Sequence, residues 1–286
     1  FTPNWSDLAD YKIWLEALTQ NAWDTGAGWG LALTYAVYMR KKEDTALNAF
    51  VIGFGNNSMS LLAGIMVLCT VFSVMPDAAS TIVGAGNEGL TFIWVPQLFA
   101  QIPWGQFFMG IFFLALVFAA WTSLVSMIEL ASRILQDMGL TRNRAIAIVG
   151  IAGLLCGVPS ALNMAVFQNQ DFVWGVGLML SGFFFAVAVL KYGVTEWREE
   201  FINTGFSDIR VGAWWDWAIR LVVVESVALI GWWFVQAWGQ DGWQANLTLF
   251  STFNIGTTVI QWAVVLAILL ILNRFLVRKT LAEGSG

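Results

Sequence analysis

Histidine is absent from all 286 residues, cysteine occurs twice, proline five times, and charged residues make up only 12% of the chain. Without imidazole, zinc and haem lose their commonest nitrogen ligand, and histidine-based acid–base catalysis is excluded. Cys69 and Cys156 both fall in apolar runs, where two buried thiols are expected rather than a structural disulfide. No basic stripe points to nucleic acid, and the net charge of −5 is unremarkable. No nucleophile–base pair or cofactor fingerprint stands out, so the chain is not expected to be an enzyme.

Apolar length is what the chain has in excess. Hydrophobic residues make up 58% and the mean hydropathy is +0.69, beyond what one soluble core needs. Apolar runs are expected to cross a bilayer at 11–39, 46–74, 105–132, 145–167, 171–192, 213–236 and 249–273. Each is near or above the ~20 residues a crossing helix needs. Lysine and arginine collect on the cytoplasmic side of short loops. Here Arg40, Lys41 and Lys42 follow the first run, Arg133, Arg142 and Arg144 the third, Lys191, Arg198 and Arg210 the fifth, and Arg274, Arg278 and Lys279 the last. The stretches 75–104, 159–170 and 237–248 contain none. Seven crossings of the cell inner (plasma) membrane fit this alternation, with the residue 1 side extracellular and the C-terminus cytoplasmic. Lys12 and Arg220 fall outside it, and Arg220, one helical turn from Asp216, is expected to form a local pair. The chain opens at Phe1 in a polar segment, 1–10, without a signal peptide, and further sequence is expected before it. Gly284-Ser285-Gly286, ending the tail 274–286, reads as a linker.

The first run is the informative one. Its outer part (11–22) and inner part (29–41) read as helix, while the centre, Gln20-Asn21-Ala22-Trp23-Asp24-Thr25-Gly26-Ala27-Gly28-Trp29-Gly30, holds three glycines. Each interior glycine costs a helix about 0.8–1 kcal/mol against alanine. Either the helix breaks there beside a cavity that satisfies its freed peptide groups, or Gly26-x-x-x-Gly30 is a close-packing surface. Asp24 favours the break, because an intramembrane carboxylate costs upwards of ~2.5 kcal/mol and marks ion or substrate paths.

Other polar groups lie at comparable depth. Asn56 and Ser60 share a face of the second run, and Thr122, Ser123 and Ser126 lie on the third, with Glu129 one turn deeper. Membrane hydroxyls often bond their own helix backbone, yet hydroxyls, amides and carbonyls are also the hard oxygen ligands that suit sodium. The segment 75–104 reads either as a lid over an outer vestibule or as an immobile cap. The charged stretch 193–212 reads as a connector. Trp104, Trp197, Trp214, Trp215, Trp238 and Trp243 fit membrane-interface belts, whereas Trp23 and Trp29 lie too deep. The glycosylation-like triplets at Asn4, Asn56 and Asn246 are taken as chance.

These residues resemble the neurotransmitter:sodium symporter family, in its bacterial amino-acid-transporter branch. The likeness is carried by Ala17-Leu18-Thr19-Gln20 through Gly28-Trp29-Gly30, by Leu33-Thr34-Tyr35-Ala36-Val37-Tyr38, by Asn56, by Ala119-Ala120-Trp121-Thr122-Ser123 and by Asp171-Phe172. It covers the whole chain in the order of the family's transmembrane helices 6–12. The resemblance implies an all-α integral membrane protein with the broken-helix inverted-repeat (5+5) fold, of which this family is itself a standard example. Residues 11–192 would be the second five-helix repeat, with the lid 75–104, and 213–273 the last two helices.

The resemblance also implies roles. Trp23, Thr25, Gly26, Trp29, Ser126 and Met127 would line the substrate pocket. Asp24 and Asn56 would belong to a first sodium site, and Ala119, Thr122 and Ser123 to a second. Gln20, Asp24 and Ser60 occupy chloride-site positions, and Asp171 would be the acidic half of the extracellular gate. Members usually carry Ser or Thr where this chain has Asp24, so its charge is expected to replace chloride; a protonated Asp24, or one that is simply another sodium ligand, is the alternative. The family's Asn-x-Trp-Arg-Phe-Pro-like first helix has no counterpart here, so a companion chain or segment carrying helices 1–5 is expected. The implied function is sodium-coupled symport of an amino acid, hydrophobic or aromatic by preference, by alternating access. A channel, another broken-helix transporter, or a non-transporting subunit is the alternative.

Overall fold

The computed structural model describes the chain except residues 1–3, 27, 41, 79–80, 83, 85, 246–253 and 284–286. The Asn246-Leu247-Thr248 triplet, the Gly284-Ser285-Gly286 linker and the side chain of Trp243 lie outside the described residues. Among the described residues the regular elements are helical. The main ones are α1 (Tyr11–Thr25), α2 (Leu31–Ala36), α3 (Thr45–Val74), α4 (Val95–Ala100), α5 (Gly105–Asp137), α6 (Arg142–Leu162), α7 (Met164–Tyr192), α8 (Trp214–Ala245) and α9 (Ile255–Glu283), with shorter helical segments such as Trp5–Ala9, Gly86–Gly89 and Val194–Trp197 in the connections. Six of these helices, α3 and α5 to α9, are long and apolar enough to cross a membrane, as a multi-pass membrane protein requires. The first expected run is not among them, because it is divided into α1 and α2.

Several boundaries differ from the sequence reading. The inner part of the first run ends at Ala36 instead of 41, in turns closed by Tyr38 N–H to Tyr35 O (2.9 Å) and Met39 N–H to Ala36 O (3.2 Å). The polar stretch 159–170 is no loop. α6 runs through Pro159 to Leu162, and Asn163 alone separates it from α7. The Asn163 carboxamide oxygen restarts the chain by accepting from Ala165 N–H (2.9 Å) and Val166 N–H (3.4 Å), which relieves two of the donors a helix start leaves bare. Cys69 and Cys156 are free and exposed on the surfaces of α3 and α6, not buried, since no described neighbour covers them.

The chain divides into two bodies, Phe1–Gly53 with Ile128–Gly286 and Phe54–Met127. In the first, α7 is the hub. Leu15 of α1, Val176 and Met179 of α7, Leu229 and Trp233 of α8 and Ile255 of α9 form one buried cluster, edged by Phe172 and Trp262. Within a membrane such packing is held by van der Waals contact rather than by exclusion of water, so shape counts for most. Amides fasten α9 to α7 beside it. The Gln261 side chain donates to Asn169 Oδ1 at 2.8 Å, and the indole of Trp262 donates to Val173 O at 3.2 Å.

The charged stretch 193–212 is folded around Arg198, which is only 8% exposed. Its guanidinium bonds Asp216 (Nε to Oδ1 2.7 Å) and Val211 O (3.1 Å), and Thr195 donates to the second Asp216 oxygen at 2.8 Å. Trp197, read as a belt residue, packs instead on Tyr192 and Phe201, at 5.3 and 4.8 Å between ring centroids. The expected Asp216–Arg220 pair is not formed: Asp216 is taken by Arg198, and Arg220 lies 5.3 Å from the centre of the Trp217 ring. A planar guanidinium brought in by chain reversal offers two directed bonds, which a neighbour one turn away on the same helix does not match. Asp44 ties this stretch to the start of α3, accepting from Leu47 N–H (2.9 Å) and from Asp208 N–H.

In the second body, the segment after α3 folds back onto that helix. Val71, Ile82 and Leu98 are buried together with Val67, Leu90 and Trp94 around them. Phe99 and Phe112 extend the contact from α4 to α5, 5.7 Å between ring centroids.

Candidate functional site

The break between α1 and α2 is built by backbone geometry. Gly26, Gly28 and Gly30 have φ of 70°, 79° and 78°, in the left-handed region that side-chain-bearing residues avoid. Gly26 therefore caps α1, and the chain leaves the helix axis. The freed groups find local partners. Gly26 N–H reaches Trp23 O at 3.4 Å, Trp29 N–H reaches Gly26 O at 3.3 Å, and the Ser181 hydroxyl of α7 donates to Gly28 O at 2.7 Å. Mid-membrane backbone of this kind survives only where protein or a cavity satisfies it, and here α7 supplies part of that protein.

The sequence-predicted residues on α1 gather at this break. Gln20 Nε2 donates to Asp24 Oδ1 at 3.0 Å, one turn apart on the helix, so Asp24 is held on the Gln20 face. The Thr25 hydroxyl donates to its own helix, to Asn21 O at 2.7 Å. Trp23 and Trp29 meet edge to face, ring centroids 4.5 Å apart and planes at 68°. The Trp29 indole N–H is buried without an acceptor, a state that costs about 1–3 kcal/mol. The last carbonyls of α1 carry the negative end of its dipole, and the Asp24 carboxylate adds to it, so the local field favours a cation.

In the second body, Asn56 and Ser60 stand one turn apart on α3, both exposed. On α5 the Thr122 hydroxyl donates to Ala119 O at 2.8 Å and Ser126 donates to Thr122 O at 3.1 Å. These hydroxyls thus bond their own helix, while their oxygen lone pairs stay available as hard ligands. Ser123 and Met127 are exposed beside them. Asp171 is exposed on the second turn of α7, in the first body.

Sequence reasoning missed one charged cluster. Arg142, opening α6, grips Glu129 of α5 with two bonds of 2.8 Å, and the Tyr38 hydroxyl donates to the same carboxylate. This ties the chain just beyond α2 to α5 and α6. Its signal was in the sequence: a carboxylate inside an apolar helix requires a cation, and Arg142 lies 13 positions on.

The sequence model of the Sodium:neurotransmitter symporter family matches residues 1–282. The chain belongs to that family. Members of this family are transporters and not enzymes. Among relatives, an uncharacterized sodium-dependent transporter of Methanocaldococcus jannaschii is 28% identical over 94% of this chain and 56% of its own length. The sodium-dependent transporter YhdH of Bacillus subtilis is 27% identical over 80% of this chain and 52% of its own. A Drosophila melanogaster sodium- and chloride-dependent GABA transporter is 24% identical over 59% of this chain and 19% of its own. The chain thus spans about half the length of the first two of these relatives.

Proposed function

We propose that this chain forms the sodium- and substrate-binding half of a symporter that couples sodium entry to uptake of an amino acid. The observation that carries this is the glycine-made break, with Asp24 and the C-terminal carbonyls of α1 on one side and a tryptophan pair against it. A cation or an α-ammonium group is favoured by that field. The aromatic faces of Trp23 and Trp29 favour an apolar or aromatic side chain, and the absence of a side chain at Gly26 leaves room for it. Asp24 and, in the other body, Asn56 are each read as sodium ligands, and Ala119 O, Thr122 and Ser123 form a separate sodium site. Thr25 in the first body, and Ser126 and Met127 in the second, are each read as substrate contacts, and Asp171 serves as an outer gate.

Asp24, beside Gln20, takes the place of chloride. A fixed charge close to sodium offsets it where a low dielectric makes Coulomb energies large. The rest of the pocket comes from helices 1–5, carried by a companion segment. The arginines and lysines after the odd-numbered crossings support a reading with the C-terminus in the cytoplasm and residue 1 outside, across the cell's inner membrane. Transport runs by alternating access, with Trp23 closing over the bound amino acid.

The test is scintillation-proximity binding of an amino-acid panel to the purified transporter, in sodium and in potassium. Saturable binding confined to sodium is expected, strongest for hydrophobic and aromatic amino acids. Equal binding in potassium overturns the reading.

A further inference from the structure

The two edges of the break have different surroundings. A Cβ built on Gly26 meets nothing within 4 Å. One built on Gly28 lies 2.7 Å from Leu178 O and 3.1 Å from Gly182 N, both backbone atoms of α7 that cannot give way. Both glycines have the same left-handed backbone, so the difference is one of contact and not of strain. The Gly28 edge is seated on α7, and the Gly26 edge faces open space.

Ser181 departs from the habit of hydroxyls in this chain. A serine or threonine inside a membrane helix commonly donates to the carbonyl one turn back. Thr70, Ser126 and Ser226 do so, to Met66 O, Thr122 O and Val222 O. Ser181 instead donates across to Gly28 O, 153 positions away in sequence, at 2.7 Å. One to two turns earlier on α7, a Cβ at Gly175 would lie 3.2 Å from the Thr19 methyl and 3.5 Å from Trp23 Nε1. α7 therefore carries glycines, Gly175 and Gly182, at these two close approaches of the broken helix, and a hydrogen-bond donor, Ser181, at the one where a carbonyl is bare.

We propose that Ser181 is a positioning residue for the broken helix. It holds the Gly28 carbonyl on α7, fixes the direction in which the chain leaves α1, and thereby sets the edge formed by Asp24 and Gly26 toward its ligands. The Gly28 carbonyl is then a structural anchor and not an ion ligand. This rests on the proposed function only for its binding consequence; the anchor itself is a statement about backbone order.

Hydrogen exchange read by mass spectrometry on the purified transporter separates the two. In Ser181→Ala, peptides covering residues 26–34 are expected to exchange several-fold faster than in the wild type, while peptides from α8 are unchanged. Ser181→Thr, which keeps the hydroxyl, is expected to restore protection, and Ser181→Cys, a weaker donor, to fall between. The sodium concentration for half-maximal substrate binding is expected to rise about three- to tenfold in Ser181→Ala, as loss of one hydrogen bond implies. Unchanged exchange of 26–34 in Ser181→Ala overturns the anchor. Should Ser181→Ala not fold, Ser181→Cys with wild-type exchange does so equally. Faster exchange restored by threonine, in a protein whose binding ignores sodium, upholds the anchor and overturns the proposed function instead.

Discussion

The guanidinium of Arg142 meets the carboxylate of Glu129 by two bonds of 2.8 Å, closing a bidentate pair between the first turn of α6 and the inner reach of α5. The Glu129 side chain is 14% exposed and that of Arg142 is 52% exposed, so the acid is the partner that depends on the contact.

Removing the arginine strands the acid, and the cost follows from that asymmetry. Arg142→Ala is expected to lower the melting temperature, because it leaves the partly buried Glu129 carboxylate without its cation. Arg142→Lys loses the fork but keeps the charge and costs less. The double variant Glu129→Gln/Arg142→Ala is expected to lose less than the sum of the singles, because both remove one shared interaction. Thermal melts in detergent of the wild type, Arg142→Ala, Arg142→Lys, Glu129→Gln and the double variant measure this, and strict additivity of the two singles refutes the coupling.

Chloride dependence tests Asp24. On the proposed reading, in which the Asp24 carboxylate replaces chloride, sodium-driven uptake is expected to persist when chloride is replaced by gluconate. Asp24→Ser is expected to make uptake require chloride. Uptake by the native protein that collapses in gluconate contradicts the assignment.

Acid sensitivity tests Asp44, which lies before the first turn of α3 and outside the spans. Hydrogen bonds from the backbone N–H of Leu47, and then of Asp208, Ile209 and Ala46, hold its carboxyl below the ordinary carboxylate value, against the opposing effect of burial. A depressed folded-state value means its contribution is fully present above the unfolded value of about 3.9 and is lost as pH falls through the lower folded one. Asp44→Asn is therefore expected to be less stable than the wild type at pH 5–7, with the two melting curves converging as the pH drops below that range. A gap that stays constant to the lowest pH at which the protein holds refutes the linkage.

Where the sequence was legible, the deciding physics was local. Three glycines beside Asp24 predict a break because backbone freedom and the cost of an intramembrane acid are properties of those residues themselves, and α1 stops at Thr25 as they require. Where it was not, the partner was distant. Residues 159–170 read as a connection between crossings, yet Gln168, Asn169 and Gln170 sit inside α7, where Asn169 and Gln170 are paired with Gln261 of α9. Asp216 reads as the partner of Arg220 until Arg198 arrives from the preceding segment.

From the order of residues alone come the apolar lengths that make helices, the charges that flank them, and the glycines that interrupt the first run, because each depends on side-chain chemistry within a turn or two. Only the tertiary structure decided that Gly28 rests on α7 under Ser181, that Glu129 belongs to Arg142, and that Arg198 closes the 193–212 segment. Those choices depend on which helix lies alongside which, and a hydrogen bond to a neighbour leaves no periodic trace in the sequence of either partner.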